Sequence, residues 1–568
     1  MKHFQSSAIA MILRFLTLAV AVTSADLFTS IADMEAMIES DSYLPNVMEQ
    51  FVREQENRID RLKGLVLEYK KGAKPKAERN TDVTNPISAF LIIKDKLRQW
   101  KGIQARMQEN NAQELAARIE NGDYGVMYPS EDDFKGAAIA LLRLQDTYRL
   151  DPHELAEGRI YHDQLNRTLD SGDCFQIGKA AYNDEDYYHT VQWMLEAETQ
   201  LAKEGEDGVA NREDILEYLS FALYKQGNLK HALKYVEELA TLNPKHPRAK
   251  GNIKWYEDLL AEEGVKKSDM RKHLGNIENR RPSSVLGNKE RTMYEALCRN
   301  EVPRSPKDTS KLYCYYKRDR PFLVYAPLKV EIMRFSPLAV LFKDVVHDSE
   351  IEVIQELAKP RLARATVHDS ATGKLVHASY RISKSAWLKG WEHEVVERVN
   401  KRIDLMTNLD MDTAEELQIA NYGIGGHYDP HFDHSRKEET KSFEGLGTGN
   451  RIATVLFYMS QPKFGGGTVF TDAKSTIYPS KNDALFWYNL YKQGDGNPQT
   501  RHAACPVLVG VKWVSNKWIH TKNQEFRRPC GLKISDEERF VGDLGVGPEP
   551  RTAPNLSPIL SKNIWETV

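Results

Sequence analysis

The chain contains no second apolar run after its N-terminus that is long or pure enough to span a bilayer, which excludes an integral membrane protein of the helical kind. It has little charge imbalance: 78 Lys and Arg stand against 81 Asp and Glu, for a net charge of −3. There is thus no global basic field for nucleic acid and no acidic tail. Cysteine is scarce. The five are Cys174, Cys298, Cys314, Cys505 and Cys530, so at least one stays unpaired. What remains is an ordinary soluble composition, 41% hydrophobic and 28% charged, in a chain of 568 residues. That length is too great for one core and predicts three or more domains.

Residues 1–25 have the parts of a secretory signal. Lys2 and Arg14 supply positive charge, Phe15 to Val22 is a short apolar run, and Thr23-Ser24-Ala25 offers small residues for cleavage. The secretory compartment permits disulfides. Spacing pairs Cys298 with Cys314 and Cys505 with Cys530, leaving Cys174 as a buried structural thiol in a helical pattern. Asn166-Arg167-Thr168 and Asn555-Leu556-Ser557 are glycosylation sequons, the second weakened by Pro558.

Residues 26–140 read as a helical region. Leu44, Met48, Phe51, Gln55, Ile59, Leu62, Val66 and Tyr69 recur at threes and fours, an amphipathic seam that packs within its own domain or joins two chains as a coiled coil. A further helix from Pro86 to Trp100 is expected to bury Leu91, Ile92, Leu97 and Trp100. Residues 141–260 contain a helical repeat. Leu216, Leu219, Ser220 and Leu223 fit the first helix of a tetratricopeptide unit, Gly227 its turn, and Ala232, Val236 and Leu239 its second helix; a looser copy begins near Phe175. Two such repeats stack into a domain with a concave face. Aromatics are dense there, and about half are expected to be core. Tyr182, Tyr187, Tyr218, Tyr224 and Trp255, with Arg248 and Asn252 for polar contacts, suit an extended polyproline II peptide. Residues 261–291 are charged, lack apolar periodicity and read as a linker.

From 292 to 530, short apolar runs rich in β-branched and aromatic residues alternate with turns, which predicts a mostly antiparallel β domain with helices near Ser349–Ala358 and Trp391–Thr407. Within it stands NYGIGGHYDPHFD, Asn421 to Asp433. Residues two apart on an extended strand share a face, so His431 and Asp433 can reach one cation. An H-x-D pair alone is a weak signal. With His502 downstream it completes a two-histidine, one-carboxylate set, the facial arrangement that leaves half of a ferrous ion's coordination sphere open. Lys512 follows ten residues later, placed to pair with a carboxylate of a ligand.

The segments YGIGGHYDPHFDH, GTGNRIATVLFYMS, FWYNL, TRHAACPVLVG, KWVSNKWIH and EFRRPC, with RISKSAWL and DYYHT further upstream, closely resemble the catalytic α subunits of collagen prolyl 4-hydroxylases over nearly the whole mature chain. The resemblance implies a multidomain α + β protein: an N-terminal helical dimerisation region, a tetratricopeptide-like peptide-binding domain and a C-terminal double-stranded β-helix (jelly-roll) dioxygenase. It implies Fe(II), 2-oxoglutarate, O2 and L-ascorbate as the chemical partners, and conversion of proline in X-Pro-Gly triplets of procollagen to 4-hydroxyproline, needed for triple-helix stability. His431, Asp433 and His502 match the iron ligands and Lys512 the partner of the distal 2-oxoglutarate carboxylate. Tyr422 and Thr468 match pocket residues, and Tyr428, Arg451, Trp518 and His520 match peptide-side or near-iron positions. The same family pairs Cys298 with Cys314 and Cys505 with Cys530. It assembles with protein disulfide isomerase as an α2β2 tetramer in the endoplasmic reticulum lumen.

Some positions depart from that pattern. Asp429 stands where Glu is usual, His427 where Gln is common, Val511 in place of Asn and Trp255 in place of Tyr. Residues 531–568 extend past the usual end and read as a disordered tail without a KDEL-type signal. An inactive collagen-binding chaperone is disfavoured by the intact ligand set. Lysyl and prolyl 3-hydroxylases typically use Arg where Lys512 stands.

Overall fold

The structure, a computed structural model, describes residues 26–72, 86–108, 127, 129–205, 208–368, 375–377, 380–439, 443–536, 538 and 540–542. The expected signal segment and the Asn555 sequon lie outside these. The chain divides into two compact units, one holding residues 33–131 and the other 28–32 and 132–568.

In the first unit, helices α2 (Leu44–Gly72) and α3 (Pro86–Gln108) follow α1 (Ile31–Ser40). The Arg58 guanidinium donates to the Met107 carbonyl at 3.1 Å, and the Lys96 ammonium sits 5.8 Å over the Tyr69 ring, so α2 and α3 run antiparallel. The seam of α2 is helical as expected. The expected buried face of α3 is not formed among the described residues: Leu91, Leu97 and Trp100 are exposed, as are Met48, Ile59, Val66 and Tyr69 on α2. A two-helix hairpin has only one inner face, and these apolar residues exceed what it can cover.

The second unit opens with α4 (Glu131–Tyr148), which runs straight through the expected domain boundary at 140. After a short helix at Pro152–Ala156, five longer ones follow: α5 (Ser171–Asn183), α6 (Tyr187–Glu204), α7 (Arg212–Lys225), α8 (Leu229–Leu242) and α9 (Ala249–Glu262). Local chemistry starts and stops them. Asp170 and Asp173 form a capping box on α5, Asp186 and Asn211 cap α6 and α7, and Gly227 at φ +80° makes the turn between α7 and α8. Leu216, Leu219 and Leu223 bury one face of α7 against Ala232, Val236 and Leu239 of α8, the repeat pattern read from the sequence. Burial of each large apolar side chain is worth about 1.5–3 kcal/mol.

Residues 264–282 carry no regular helix or strand, but they are not a free linker. Met270 is buried, Arg271 pairs with Glu237 and Glu257, Asn228 and Glu278 bond reciprocally, and Arg281 bridges Asp146 and Glu295. The segment is held by side-chain bonds to helices far away in sequence, which leave no periodicity to read.

The β domain has two main antiparallel sheets, beside which Phe464–Gly465 pairs with Val507–Val509 and Thr366–His368 with Leu375–His377. The strands of the two main sheets are β1 (Cys314–Lys317), β2 (Leu328–Phe335), β3 (Leu338–Lys343), β4 (Ala363–Arg364), β5 (Lys384–Leu388), β6 (Leu417–Tyr422), β7 (Tyr428–His431), β8 (Arg451–Tyr458), β9 (Thr468–Phe470), β10 (Ser475–Ile477), β11 (Ala484–Tyr488), β12 (His502–Ala504) and β13 (Lys512–His520). The nine-stranded sheet runs β1-β2-β3-β11-β8-β13-β6-β5-β4, and the four-stranded sheet runs β7-β12-β9-β10. Leu341, Ala420, Leu456 and Val514 from the larger sheet meet Phe470 and Ile477 from the smaller one, so one core fills the space between them. The outer face of the larger sheet is covered by helices at Asp348–Ala358 and Glu394–Thr407 through Ile351, Ile354, Val396, Val399 and Ile403. A helix at Lys289–Cys298, α10, packs Tyr294 and Leu297 on Val469 and Ala503 of the smaller sheet.

That packing corrects the cysteine pairing. Cys298 at the end of α10 is bonded to Cys505, 207 residues away, just past β12. Cys314 and Cys530, the partners expected from spacing, are exposed free thiols. Cys314 begins β1 at the edge of the other sheet, whereas Cys298 and Cys505 share the core beneath α10. Cys174 is buried and unpaired as expected, with burial pushing its thiol up to about 12. The expected tail is also ordered at its start. Phe540 and Val541 are buried, and Glu538 pairs with Arg528 in the interior.

Candidate metal centre and co-substrate pocket

Strands β7 and β12 are antiparallel neighbours, and His431 and His502 are direct partners across them. Cross-strand partners project on the same side of a sheet, which sets the two imidazoles side by side with ring centroids 4.3 Å apart. Asp433, two residues on, turns in beneath them: its carboxylate oxygens lie 3.7 Å from His431 Nε2 and 3.6 Å from His502 Nε2. The three donor atoms lie within 4.8 Å of one another.

The tautomers fit a metal. His431 Nδ1–H donates to the Asp429 carbonyl at 2.8 Å and His502 Nδ1–H to the Thr500 carbonyl at 2.9 Å, so both Nε2 lone pairs face the shared centre. Burial lowers His502 to about 4, which keeps that ring neutral. Burial would raise the Asp433 carboxyl, but the two histidines and Arg451 hold it far below the ordinary carboxylate range. An anionic oxygen and two neutral imidazoles without thiolate suit a redox-active divalent ion such as Fe(II).

Beside this centre lies a narrow inner pocket lined by Tyr422, Thr468, Lys512, Leu456, Val514 and Trp487. Lys512 starts β13 and faces Tyr422, its direct partner on β6, with the ammonium 4.9 Å from the ring centroid. The ammonium is buried and donates to the Gly466 carbonyl at 2.6 Å. No carboxylate among the described residues forms an ion pair with it. Burial brings it down to about 7. A desolvated cation without a counter-ion is costly, and a ligand carboxylate entering this pocket would relieve it. Thr468 accepts from the Tyr458 hydroxyl at 2.9 Å on the same wall.

An open groove of about 400 Å³ leads to the metal centre from outside, past Tyr380, Arg381, Tyr428, Arg451 and Trp518. Tyr428 lines both spaces and stacks on His431 with ring centroids 3.5 Å apart, while the Arg381 guanidinium lies 4.8 Å from the Tyr428 ring centroid. Its hydroxyl is pushed up to about 12 by burial. Arg451 forks onto Glu415 and lies 4.0 Å from the Trp518 ring. His520 lines neither space. Its Nε2 faces Glu415 at 2.9 Å, so it orients the Glu415–Arg451 pair behind the groove. Burial would raise Glu415, but Arg451 and His520 hold it at about 2.

Residues 30–162 of this chain match the prolyl 4-hydroxylase alpha-subunit N-terminal region, 171–262 the prolyl 4-hydroxylase peptide-substrate-binding domain, and 417–520 the 2OG-Fe(II) oxygenase superfamily. The chain is 70% identical to prolyl 4-hydroxylase subunit alpha-1 of Caenorhabditis elegans, over 96% of its own length and 97% of that protein's. It is 42% identical to the Homo sapiens subunit alpha-1 over 89% of this chain and 95% of the relative. A solved viral collagen prolyl hydroxylase from Paramecium bursaria Chlorella virus-1 is 24% identical, covering 32% of this chain and 94% of its own, at a TM-score of 0.26. The chain belongs to the prolyl 4-hydroxylase α subunits. It is an Fe(II)- and 2-oxoglutarate-dependent dioxygenase that hydroxylates proline.

Within this prolyl 4-hydroxylase subunit, three residues of the site escape a motif reading. Thr454 on β8 donates to Asp433 Oδ2 at 2.7 Å, Asn489 donates to Thr454 at 2.9 Å, and the Trp487 indole donates to Asn489 at 2.7 Å while its ring edges His502. This buried chain fixes the carboxylate rotamer. Its only trace in the sequence is a polar Thr in the apolar run RIATVLFY. The divergent residues sit beside the metal strand. His427 is buried with Nε2 3.5 Å from Asp429, which also lies 3.4 Å from Arg291. Val511 contributes its carbonyl, to Ser460 at 2.7 Å.

In the repeat domain, Tyr182, Tyr218 and Phe221 meet edge to face, and Tyr224 lies 4.6 Å from Trp255, whose ring stacks on Tyr256. Tyr187 joins the first group through Tyr182 and Phe221. Trp193 and Tyr256 are wholly buried and belong to the core, while Trp255 is exposed. Arg248 is engaged by Glu217 at 2.5 Å, and Asn252 is half-buried on the same helix as Trp255.

Proposed function

We propose that this subunit hydroxylates C4 of proline in X-Pro-Gly triplets of procollagen. The observation that carries this is the buried Lys512, without a carboxylate partner among the described residues, next to a two-histidine, one-carboxylate centre that opens onto an aromatic groove. When bound, ferrous iron with 2-oxoglutarate and O2 supplies the oxidant for C–H hydroxylation, with 2-oxoglutarate leaving as succinate and CO2 and ascorbate keeping the metal reduced. His431, Asp433 and His502 hold the ion, and Thr454 orients Asp433. Lys512 receives the distal carboxylate of 2-oxoglutarate, with Tyr422 and Thr468 lining its pocket. Tyr428, Arg451 and Trp518 shape the groove for the peptide, and His520 acts through Glu415. The protein's work is to position the ring and exclude competing reactions.

The domain at residues 171–262 binds the peptide through Tyr182, Tyr187, Tyr218, Tyr224 and Trp255, with Asn252 and Arg248 at the edge. Holding a repetitive substrate there raises its local concentration at the catalytic groove. The exposed apolar faces of α2 and α3 join two α chains, and protein disulfide isomerase completes an α2β2 tetramer in the endoplasmic reticulum lumen, reached through a signal ending at Ser24 or Ala25. Asn166, exposed in the loop before α5, is the glycosylation site. Lysyl or prolyl 3-hydroxylation is the competing enzymatic reading, and Lys512 in place of Arg argues against it. Mass spectrometry of a (Pro-Pro-Gly) repeat after incubation with the chain and its partner is expected to find 4-hydroxyproline. Finding 3-hydroxyproline, or no modification, overturns the proposal.

A further inference from the structure

The segment Phe28–Ala32 leads into the start of α1, yet it groups with the unit that holds the β domain. Thr29 and Ser30 are fully buried. The Ser30 hydroxyl donates to Asn421 Oδ1 at 2.8 Å and the Ala32 amide donates to the same oxygen at 3.1 Å. The Phe28 carbonyl accepts from the Ile424 amide at 3.0 Å, and its own amide donates to Asp133 at 3.3 Å. The approach is close enough that a Cβ added at Gly423 would lie 1.9 Å from the Phe28 carbonyl oxygen. Two turns of chemistry thus meet on one short stretch of β6 and the loop after it.

That stretch is where the co-substrate pocket joins the metal strand. Asn421 is buried and is the residue before Tyr422; successive residues of a strand project to opposite faces, so its side chain leaves the inner face to Tyr422. Tyr422 is the cross-strand partner of Lys512. Gly423 to His427 then carry the chain to Tyr428 and His431. Within β6, Asn421 pairs with Trp513 on one side and Lys384 on the other, but Gly423 and Ile424 lie beyond these ladders. The Ile424 amide is held by the Phe28 carbonyl, while the Gly423 carbonyl accepts from the Gly426 amide within the turn and Arg143 donates to the Gly425 carbonyl.

We propose that Phe28–Ala32 is a positioning strap of the active centre: through Asn421 and Ile424 it sets the end of β6 so that Tyr422 stands opposite Lys512. Ser30 and Asn421 touch neither co-substrate nor metal and act through Tyr422 and the loop. The proposal rests on the assignment of Tyr422 and Lys512 to the 2-oxoglutarate pocket. A buried hydrogen bond that loses one partner costs enough to shift an equilibrium by about tenfold.

The test uses the full chain with its partner. Ser30→Ala, Asn421→Ala and the double variant are compared for KM toward 2-oxoglutarate, KM toward a (Pro-Pro-Gly) peptide, and calorimetric binding of 2-oxoglutarate to the Mn(II)-loaded protein. The expected result is about a tenfold loss of 2-oxoglutarate affinity in each single variant by both measurements, with peptide KM within about twofold. The double variant is expected to be no worse than Asn421→Ala alone, because that substitution already removes the Ser30 bond together with the Ala32 one. Unchanged 2-oxoglutarate affinity overturns the strap, as does a loss that affects the peptide and co-substrate equally. Lys512→Ala is measured alongside. If it too leaves 2-oxoglutarate binding intact, the pocket assignment has failed; if it abolishes binding while Ser30→Ala does not, only the strap has.

Discussion

His431 and His502 are cross-strand partners, so the 70 intervening residues of loop and sheet return to within hydrogen-bonding register of where they left. Their Nδ1 atoms are each anchored to a carbonyl two residues upstream, Asp429 and Thr500. The same local device is used on both strands, and it orients both rings before any ion arrives.

Replacing either ring breaks the set. His431→Ala and His502→Ala are each expected to abolish 2-oxoglutarate turnover, measured as succinate release, while binding of a (Pro-Pro-Gly) peptide by the helical repeat domain survives. Full turnover in either variant would remove that histidine from the metal centre.

Thr454 holds the remaining ligand from behind. Thr454→Val keeps the shape and removes the donor to Asp433, and groups in this outer position typically contribute about 10–100-fold to metal affinity. Titration of the metal-free protein with Mn(II) is expected to show a loss in that range. An unchanged affinity would mean the Asp433 rotamer is set by the two histidines alone.

Lys512 predicts a pH dependence. Burial lowers it from 10.5 to about 7, so in the co-substrate-free protein its charge is present below about pH 7 and lost above it. The unfolded chain keeps this lysine charged up to its ordinary value. Between the two the unfolded state binds more protons, so the contribution of this group to stability rises with pH across the window. Affinity for 2-oxoglutarate falls over the same window, since the carboxylate needs the ammonium. Calorimetry from about pH 6.5 to about pH 9 should show that fall, and Lys512→Arg should flatten it because guanidinium stays charged. A flat profile in the unsubstituted protein would contradict the assignment.

The disulfide is directly checkable. Peptide mapping without reduction is expected to recover Cys298 linked to Cys505 and to find Cys314 and Cys530 as alkylatable thiols. Cys298→Ser is expected to cost about 2–5 kcal/mol, read as a lowered Tm. A Cys298–Cys314 peptide would restore the pairing expected from spacing.

The exposed faces of α2 and α3 carry their own prediction. Ile59→Glu with Leu97→Glu places charge on apolar surface that no described residue covers, and light scattering should show α chains that no longer pair. The 2-oxoglutarate KM should be unchanged, since neither residue belongs to the unit holding the site. Intact dimers would remove these faces from the interface.

Much of this organisation was legible because its signals are local. Leu216, Leu219, Leu223, Ala232, Val236 and Leu239 are spaced by helix geometry and all are buried as that spacing predicts. H-x-D brings His431 and Asp433 to one centre, although the strand ends at His431 and Asp433 reaches it from the bend that follows. Other features had no local signal. Residues 264–282 look like a linker because their bonds to Asn228, Glu237 and Glu295 are long-range, and Phe540 and Val541 look like tail because two apolar residues form no pattern. The apolar stripe of α3 stays exposed where burial is expected, because periodicity shows that a stripe is apolar but not that a partner within the chain covers it.

By itself the sequence determined the domain classes, the repeat, the ligand types and the chemistry they permit, because those follow from residue identity and from periods of two and 3.6 residues. Tertiary structure alone decided which cysteine meets Cys298, how Thr454, Asn489 and Trp487 line up behind Asp433, and that Phe28–Ala32 lies against β6. Each of those is a meeting of residues separated by tens or hundreds of positions. Such meetings depend on how sheets and helices stack, which no spacing along the chain encodes.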